Sequence, residues 1–201
     1  MCKMRTRWQV FVSALFLSII ICSDGYAQNV SIKSNLLYDA TGTVNLGIET
    51  SLCPPHWTFD LSGNLNAWTM PDESLRKHAF VQPELRYWLC DSFAGHFFGL
   101  HLHGGIFNIG NLDTDFKFAG TDFSILKDHR FQGWFAGAGV GYGYALPIDV
   151  HWNLEFEIGA GYAYSMYDMY ECDECGEVIR NNHPHHYFGL TKAAICIAYL
   201  F

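Results

Sequence analysis

Apolar and polar residues alternate with a period of two along most of the chain after residue 28. In one segment Val44, Leu46 and Ile48 are separated by polar or small residues. This period places alternate side chains on opposite faces of a β-strand. The three- and four-residue spacing of an amphipathic helix is not sustained, and no apolar run in this part has the length of a spanning helix. The pattern therefore predicts an all-β chain.

Eight segments carry this alternation. They are predicted at residues 30–38, 43–52, 56–69, 79–89, 96–109, 131–146, 151–166 and 186–201. The longest connections are 110–130 and 168–185, and they fall on one rim, whereas short turns fall on the other. Short turns opposite long loops are typical of outer-membrane barrels. We therefore predict an eight-stranded antiparallel up-and-down transmembrane β-barrel.

The polar face of the strands carries charges of both signs, and this helps to decide whether that face points into the barrel or to the outside. A membrane barrel turns its apolar face to lipid and its polar face inward, whereas a soluble lipid-binding barrel does the opposite. Aromatic residues such as Trp57, Trp152 and Tyr162 lie near strand ends on the apolar face, as in interfacial girdles. We therefore expect a polar network inside the barrel, formed by Lys33, Glu49, Asp60, Glu84, Arg86, His101, His103, Glu155, Glu157 and Lys192.

The interior of an eight-stranded barrel is only wide enough for its own side chains, so no open pore is expected. Every second residue from Gly137 to Gly143 is glycine, and this row has inward parity. The missing side chains leave space for bulky neighbours such as Trp88, Phe107 or the two histidines of the network. The G-x-G spacing lies inside a strand and is not followed by a helix, so it does not indicate a nucleotide loop.

The amino terminus has the pattern of an export signal. Basic residues precede an apolar run that ends near Cys22, and Ala27 occupies a small-residue cleavage position. We predict a signal peptide at residues 1–27 and one barrel domain at 28–201, placed in the outer membrane of a Gram-negative bacterium. The net charge of −8, with no basic stripe, argues against nucleic-acid binding.

Four segments of the chain resemble an uncharacterised outer-membrane family of the Bacteroidetes, domain-of-unknown-function family 3575. They read SIKSNLLYDATGTVNLGIE, WTFDLSGNLNAW, VQPELRYWLC and GHFFGLHLHGG, and the likeness extends over residues 30–201. The resemblance implies an eight-stranded barrel in the outer membrane and a setting beside fimbrial or surface-adhesin genes. It implies no catalytic residue. The alternation that ends at Phe201 resembles the terminal signal read by the barrel-assembly machinery, which would be a partner during biogenesis.

One predicted loop combines residues that bind zinc. Thiolate sulfur and imidazole nitrogen are its preferred ligands, and the candidates are Cys172, Cys175, His183 and His185, with His186 beside them. Because export implies an oxidising compartment, oxidised cysteines are the alternative. Cys53 and Cys90 lie in turns on the same rim, where a disulfide would need a close approach of their α-carbons. Cys196 is interpreted as a small buried residue.

No catalytic group stands out, and we expect a non-enzymatic protein without a cofactor, apart from the zinc alternative. Its partners would be outer-membrane lipid and a surface or fimbrial protein that contacts the long loops. One enzymatic alternative is a lipid-modifying barrel that uses Ser165 and His186 for acyl transfer. The other alternative is a soluble secreted barrel that binds lipid in an apolar cavity.

Overall fold

The computed structural model describes residues 30–68, 75–110, 117–118, 121–122, 129–171 and 176–201. The signal peptide predicted at residues 1–27 lies outside the described residues, as do Cys172 and Cys175. No helix within the described ranges is long and apolar enough to cross a membrane.

The described part of the chain is almost entirely β-strand, as the alternation predicts. The strands are β1 (Val30–Asn35), β2 (Val44–Cys53), β3 (Trp57–Asn66), β4 (Leu75–Trp88), β5 (Gly95–Gly110), β6 (Lys117–Phe118), β7 (Thr121–Asp122), β8 (Arg130–Pro147), β9 (Trp152–Tyr170) and β10 (Val178–Leu200). One short helix, α1 (Leu36–Ala40), follows β1. β6 and β7 pair only with each other in a small separate hairpin.

The other eight strands form one closed antiparallel barrel. Neighbours along the chain pair with each other from β1 to β5 and from β8 to β10, with β5 next to β8, and β10 pairs back to β1. At the closure Lys33 lies opposite Ala198 of β10 on one side and Gly47 of β2 on the other. The prediction of an eight-stranded antiparallel barrel in up-and-down order is confirmed.

The two faces of the wall differ sharply in polarity. Charged and amide side chains on the inner face are buried, while leucine, valine, isoleucine and aromatic side chains on the outer face are exposed. Ile106 and Val140, for example, are 63% and 64% exposed, whereas Glu49 and His101 are fully buried. The soluble alternative required an apolar cavity, but the described interior is lined mainly by charged and amide side chains.

Several predicted boundaries are wrong. The first strand ends at Asn35 rather than near residue 38, because a helix begins there. The Asn35 side chain accepts a hydrogen bond from the Leu37 N–H (3.1 Å) and caps α1. β4 begins at Leu75, earlier than predicted. The connection predicted at 168–185 is much shorter, because β9 continues to Tyr170 and β10 begins at Val178. His183, His185 and His186 therefore lie on β10, and not in a loop.

The two rims of the barrel are built differently. At the turn rim, short turns join β2 to β3, β4 to β5 and β8 to β9. At the opposite, loop rim, the strands end at very different heights, because strand length increases from 6 residues in β1 to 23 residues in β10. β8, β9 and β10, the longest strands, consequently extend beyond β1 and β2 on the loop side, and β5 stays paired with β8 as far as Ile109.

Candidate functional site: the charged interior

Inward-facing positions on seven of the eight barrel strands bring the predicted polar residues together. All ten are buried, with exposures of 9% or less, because the period of two puts each of them on the inner face. They come from β1, β2, β3, β4, β5, β9 and β10 through Lys33, Glu49, Asp60, Glu84, Arg86, His101, His103, Glu155, Glu157 and Lys192. The barrel thus carries its charges where a soluble protein carries its apolar core.

Arg86 is the centre of the cluster. Its Nη1 lies 2.8 Å from Glu49 Oε2 and 2.9 Å from Glu155 Oε2. Its Nη2 lies 2.8 Å from Glu157 Oε2, and its Nε lies 2.9 Å from Glu84 Oε1. The planar guanidinium offers donors in several fixed directions, so one side chain joins carboxylates from three strands.

Two lysines complete the network on either side of Arg86. Lys33 pairs with Glu49, with Asp60 (2.9 Å) and with Glu155 (3.1 Å). Lys192 pairs with Glu84 and, at 3.0 Å, with Glu157. Three cations thus face five carboxylates. A buried charge without a partner would cost several kcal/mol, so each member depends on the others.

A chain of hydrogen bonds ties this network to the aromatic residues below it. Trp88 Nε1 donates to Thr58 Oγ1 at 2.8 Å, and the Thr58 hydroxyl donates to Glu49. The guanidinium of Arg86 lies 4.4 Å from the centre of the Phe97 ring, a cation–π geometry. The parity of Trp88 indicated its inward position, whereas the roles of Thr58 and Phe97 follow only from the register.

The glycine row on β8 makes room for the largest inner side chains. A Cβ atom at Gly139 would lie 2.6 Å from His101 Nε2, and one at Gly141 would lie 2.8 Å from Glu157 Oε1. A Cβ at Gly137 would collide with His103, and one at Gly143 with Phe97. The histidines use this space as expected, but the ring beside Gly143 is that of Phe97 rather than Trp88 or Phe107.

The histidine pair forms the loop-side edge of the network. The ring centres of His101 and His103 are 5.7 Å apart, and His101 Nε2 lies 2.9 Å from Thr191 Oγ1. The Nδ1 atoms of both rings are buried and make no hydrogen bond to a described residue. Within the described ranges no group of three or more metal-ligating side chains is arranged to hold an ion.

Aromatic layers cover the charges from both ends. On the turn side Trp88 packs on Phe97 and on Phe93, with ring centres 4.7 and 6.1 Å apart. Phe93 enters the barrel from the turn after β4, and its carbonyl accepts a hydrogen bond from Asn153 Nδ2 (2.5 Å). No pattern in the sequence marked this residue, because it belongs to a turn and not to the alternation.

On the loop side the rings of Phe80, Phe107 and Phe135 lie above the histidines. Phe135 is 5.9 Å from Phe80, 6.2 Å from Phe107 and 6.0 Å from His103, between ring centres. Tyr38 of α1 packs edge-on against Phe80, and burial raises the pKa of its phenol.

The cavity left beside Lys33, Arg86 and Lys192 measures about 30 Å³, enough for only one or two water molecules.

Within the part of the chain that the structure describes, the remaining sequence candidates are not brought together in a site. Ser165 lies opposite His185 across the β9–β10 ladder, while His186 points outward and its Nδ1 lies 2.6 Å from the Tyr162 hydroxyl. Ser165 and His186 thus lie on opposite faces of the wall. The proposed zinc ligands Cys172 and Cys175 are outside the described residues, and His183 and His185 are strand residues. Cys53 and Cys90 are free and exposed, and Cys196 is free and buried.

Comparison with known protein families identifies what this barrel is related to. The model of the family described as "Protein of unknown function (DUF3575)" matches residues 13–201. The chain belongs to this family. The match covers every barrel strand and each of the ten polar residues of the interior. No curated protein matches the chain. Membership of DUF3575 therefore assigns a family but no activity to the charged interior.

Proposed function

We propose that this DUF3575 protein is a non-enzymatic outer-membrane barrel with a permanently filled interior, which displays its projecting β8–β10 sheet to a partner at the cell surface. The inverted polarity of the wall carries this proposal. Large apolar side chains cover the outside around the whole barrel, far beyond the few hundred Å² that soluble monomers expose. Lipid is the environment in which such a surface is stable.

The spacing of the exposed aromatic residues supports a bilayer. One girdle lies near the turn rim and includes Trp57, Tyr87 and Trp152; a second includes Trp134 and Tyr162. Trp152 and Tyr162 are both on β9, about ten residues or roughly 33 Å apart along the strand. With the usual strand tilt this corresponds to ~25 Å, the height of the apolar band of outer-membrane barrels.

The filled interior supports a structural role over transport. The ion pairs join most of the barrel strands, aromatic rings lie on both sides of the charges, and the cavity beside Lys33, Arg86 and Lys192 holds only one or two water molecules. A pore would need a continuous path past Arg86, whose four contacts all hold it in place. We therefore propose that the network fixes the register and spacing of the strands and conducts no solute.

The partner would bind on the loop side. The projecting sheet presents aromatic and imidazole rings, such as Tyr167 with His183 (5.5 Å between centres), and Arg130 lies over the ring of Tyr170 (4.4 Å). Aromatic and arginine side chains are enriched in protein interfaces. Because the family resemblance implies a setting beside fimbrial or adhesin genes, a fimbrial or adhesin subunit is the first partner class to test.

Fractionation and conductance test the proposal together. We expect the protein in the outer-membrane fraction, with a gel mobility that changes on boiling, and with no stepwise conductance in planar bilayers. Recovery in the soluble fraction would contradict the membrane location. Discrete channel currents from the folded protein would contradict the filled interior.

A further inference from the structure

Strand β10 is paired with β1 over only a small part of its length. Their ladder runs from Ser31 opposite Leu200 to Asn35 opposite Cys196, and β10 continues to Val178. After Asn35 the chain turns away into α1, so no described strand lies beside the rest of this edge. β9 pairs with the other edge of β10 throughout.

The Asn35 side chain ends the β1–β10 ladder. Its Nδ2 donates to the Ala193 carbonyl (3.3 Å), and its Oδ1 accepts from the Ile195 N–H (3.2 Å). The amide side chain thus replaces the next backbone unit of the missing strand. These contacts also show that outward-facing residues of β10 direct their backbone groups toward β1.

The same geometry identifies the backbone groups at the free edge. In a strand of L-residues, the side-chain face and the direction of the N–H alternate together. A β-bulge between Leu190 and Lys192 shifts the register, so the outward residues above it are Pro184, His186, Phe188 and Leu190. Their backbone groups therefore point away from β9, toward the side where β1 is absent.

The free edge is a short window at residues 186–190, because the backbone groups at both of its ends are missing or already hydrogen-bonded. Above it, Pro184 has no N–H, and the Asn182 N–H donates to Asp168 Oδ1 (2.8 Å). Below it, the Leu190 carbonyl accepts from the Tyr187 hydroxyl (3.2 Å), and Asn35 covers the next groups. The amides and carbonyls of His186 and Phe188, with the Leu190 N–H, remain as a template for pairing.

We propose that the His186–Leu190 edge of β10 binds an extended strand of a partner polypeptide by β-strand addition. The proposal rests on the membrane location and surface role proposed above, and adds the docking position and the binding mode. Phe188 lies opposite Tyr162 in the loop-side girdle, so the window opens at the membrane surface. Phe188 is 75% exposed, more than any other large apolar side chain of the described residues, which favours an apolar residue beside it.

The chemistry of the edge favours an extended polypeptide over other occupants. It offers alternating N–H and C=O groups, which another extended backbone matches and lipid chains do not. A second copy inserted in the same direction would present a β10 that also descends toward the turn rim. Antiparallel pairing between two such edges is therefore excluded by the common orientation in the membrane, and we take the occupant to be a different chain.

The experiment uses the folded full-length barrel in detergent micelles. The probe is a labelled peptide of alternating threonine and valine with lysines at its ends for solubility. Backbone amide exchange is measured by NMR with and without the peptide. Without peptide, we expect the Phe188 amide to exchange at least about tenfold faster than the Tyr187 amide, which faces β9. Saturating peptide should slow exchange at Phe188 by about tenfold and leave Tyr187 unchanged.

Two substitutions at one position separate backbone pairing from side-chain contact. Phe188→Pro removes the edge N–H without removing a bond to β9, and should lose at least about tenfold in peptide affinity. Phe188→Ala keeps the N–H and should lose no more than about threefold. Both variants must keep the mobility change on boiling, which verifies the barrel.

Slow exchange at Phe188 without peptide would overturn the proposal, because the edge would already be covered. Equal loss of binding in the two variants, or no peptide binding by the wild type, would also overturn it. None of these outcomes affects the membrane location, which fractionation tests separately. If the proline variant does not fold, the exchange pattern of the wild-type protein still decides the point.

Discussion

The turn-side half of the barrel and its loop-side half follow different rules. On the turn side all eight strands are paired, and three cations and five carboxylates join the inner faces of six of them. On the loop side β1 and β2 stop early, β8–β10 project, and β10 keeps an unpaired edge. The difference indicates that the turn-side half supplies stability, while the loop-side half is free to carry a binding surface.

The largest expected effect is the loss of Arg86. Arg86→Ala leaves four carboxylates without their shared partner in a buried site, which should destabilise the barrel by about 3–5 kcal/mol. The measurement is the urea midpoint for loss of the heat-modifiable form. Arg180→Ala, on the exposed loop-side part of β10, is the matched control and should leave the midpoint unchanged. Equal midpoints for the two variants would contradict the central role of Arg86.

A smaller effect is expected from filling the space beside Phe97. In Gly143→Val the added Cβ alone would lie 2.7 Å from the Phe156 carbonyl oxygen and would collide with the Phe97 ring. The two valine methyl groups add further volume against that ring. Overpacking of this kind should cost about 2–3 kcal/mol in the same urea titration. Gly63→Val is the control, since a Cβ there meets no atom within 4 Å. A Gly143 variant as stable as the Gly63 variant would show that the interior adapts freely.

Removing one hydroxyl from the interior should have a more modest effect. Thr58→Val deprives Trp88 Nε1 of its acceptor and Glu49 of a donor, at a cost of about 1–2 kcal/mol. Thr50→Val lies on the outer face of the neighbouring strand and should change stability by less than about 0.5 kcal/mol. Near-ultraviolet circular dichroism reports the Trp88 environment. An unchanged spectrum and midpoint for Thr58→Val would contradict this hydrogen-bonded chain.

The last prediction concerns which half of the barrel faces the periplasm, and we expect no change in stability. Cys53 and Cys90 are exposed at the turn rim, whereas Cys196 is buried. In variants that keep a single cysteine, a membrane-impermeant maleimide should label Cys53 or Cys90 only after the outer membrane is permeabilised. Cys196 should stay unlabelled until the barrel is denatured. Labelling of Cys53 on intact cells would reverse the proposed orientation and place the β10 edge inside the periplasm.

Alternation alone located the polar interior but not the contacts within it. Lys33, Arg86 and Glu157 could be assigned to the inner face because side-chain direction along a strand depends only on position parity. That Arg86 meets Glu157, which is distant in the chain, depends on the register of every intervening strand. The glycine row indicated large inner neighbours, but Phe97 was identified as the residue beside Gly143 only by the β5–β8 pairing.

The sequence by itself determined the all-β class, the number of barrel strands and the residues that face inward, because these follow from a local period of two. The tertiary structure alone decided the unequal strand heights, the early end of β1 at Asn35 and the placement of His183 and His185 on β10. It also decided the entry of Phe93 into the barrel and the free edge beside Phe188. These features depend on pairing between strands far apart in the chain, on bulges that shift the register and on side chains that replace a missing backbone partner, none of which leaves a local period.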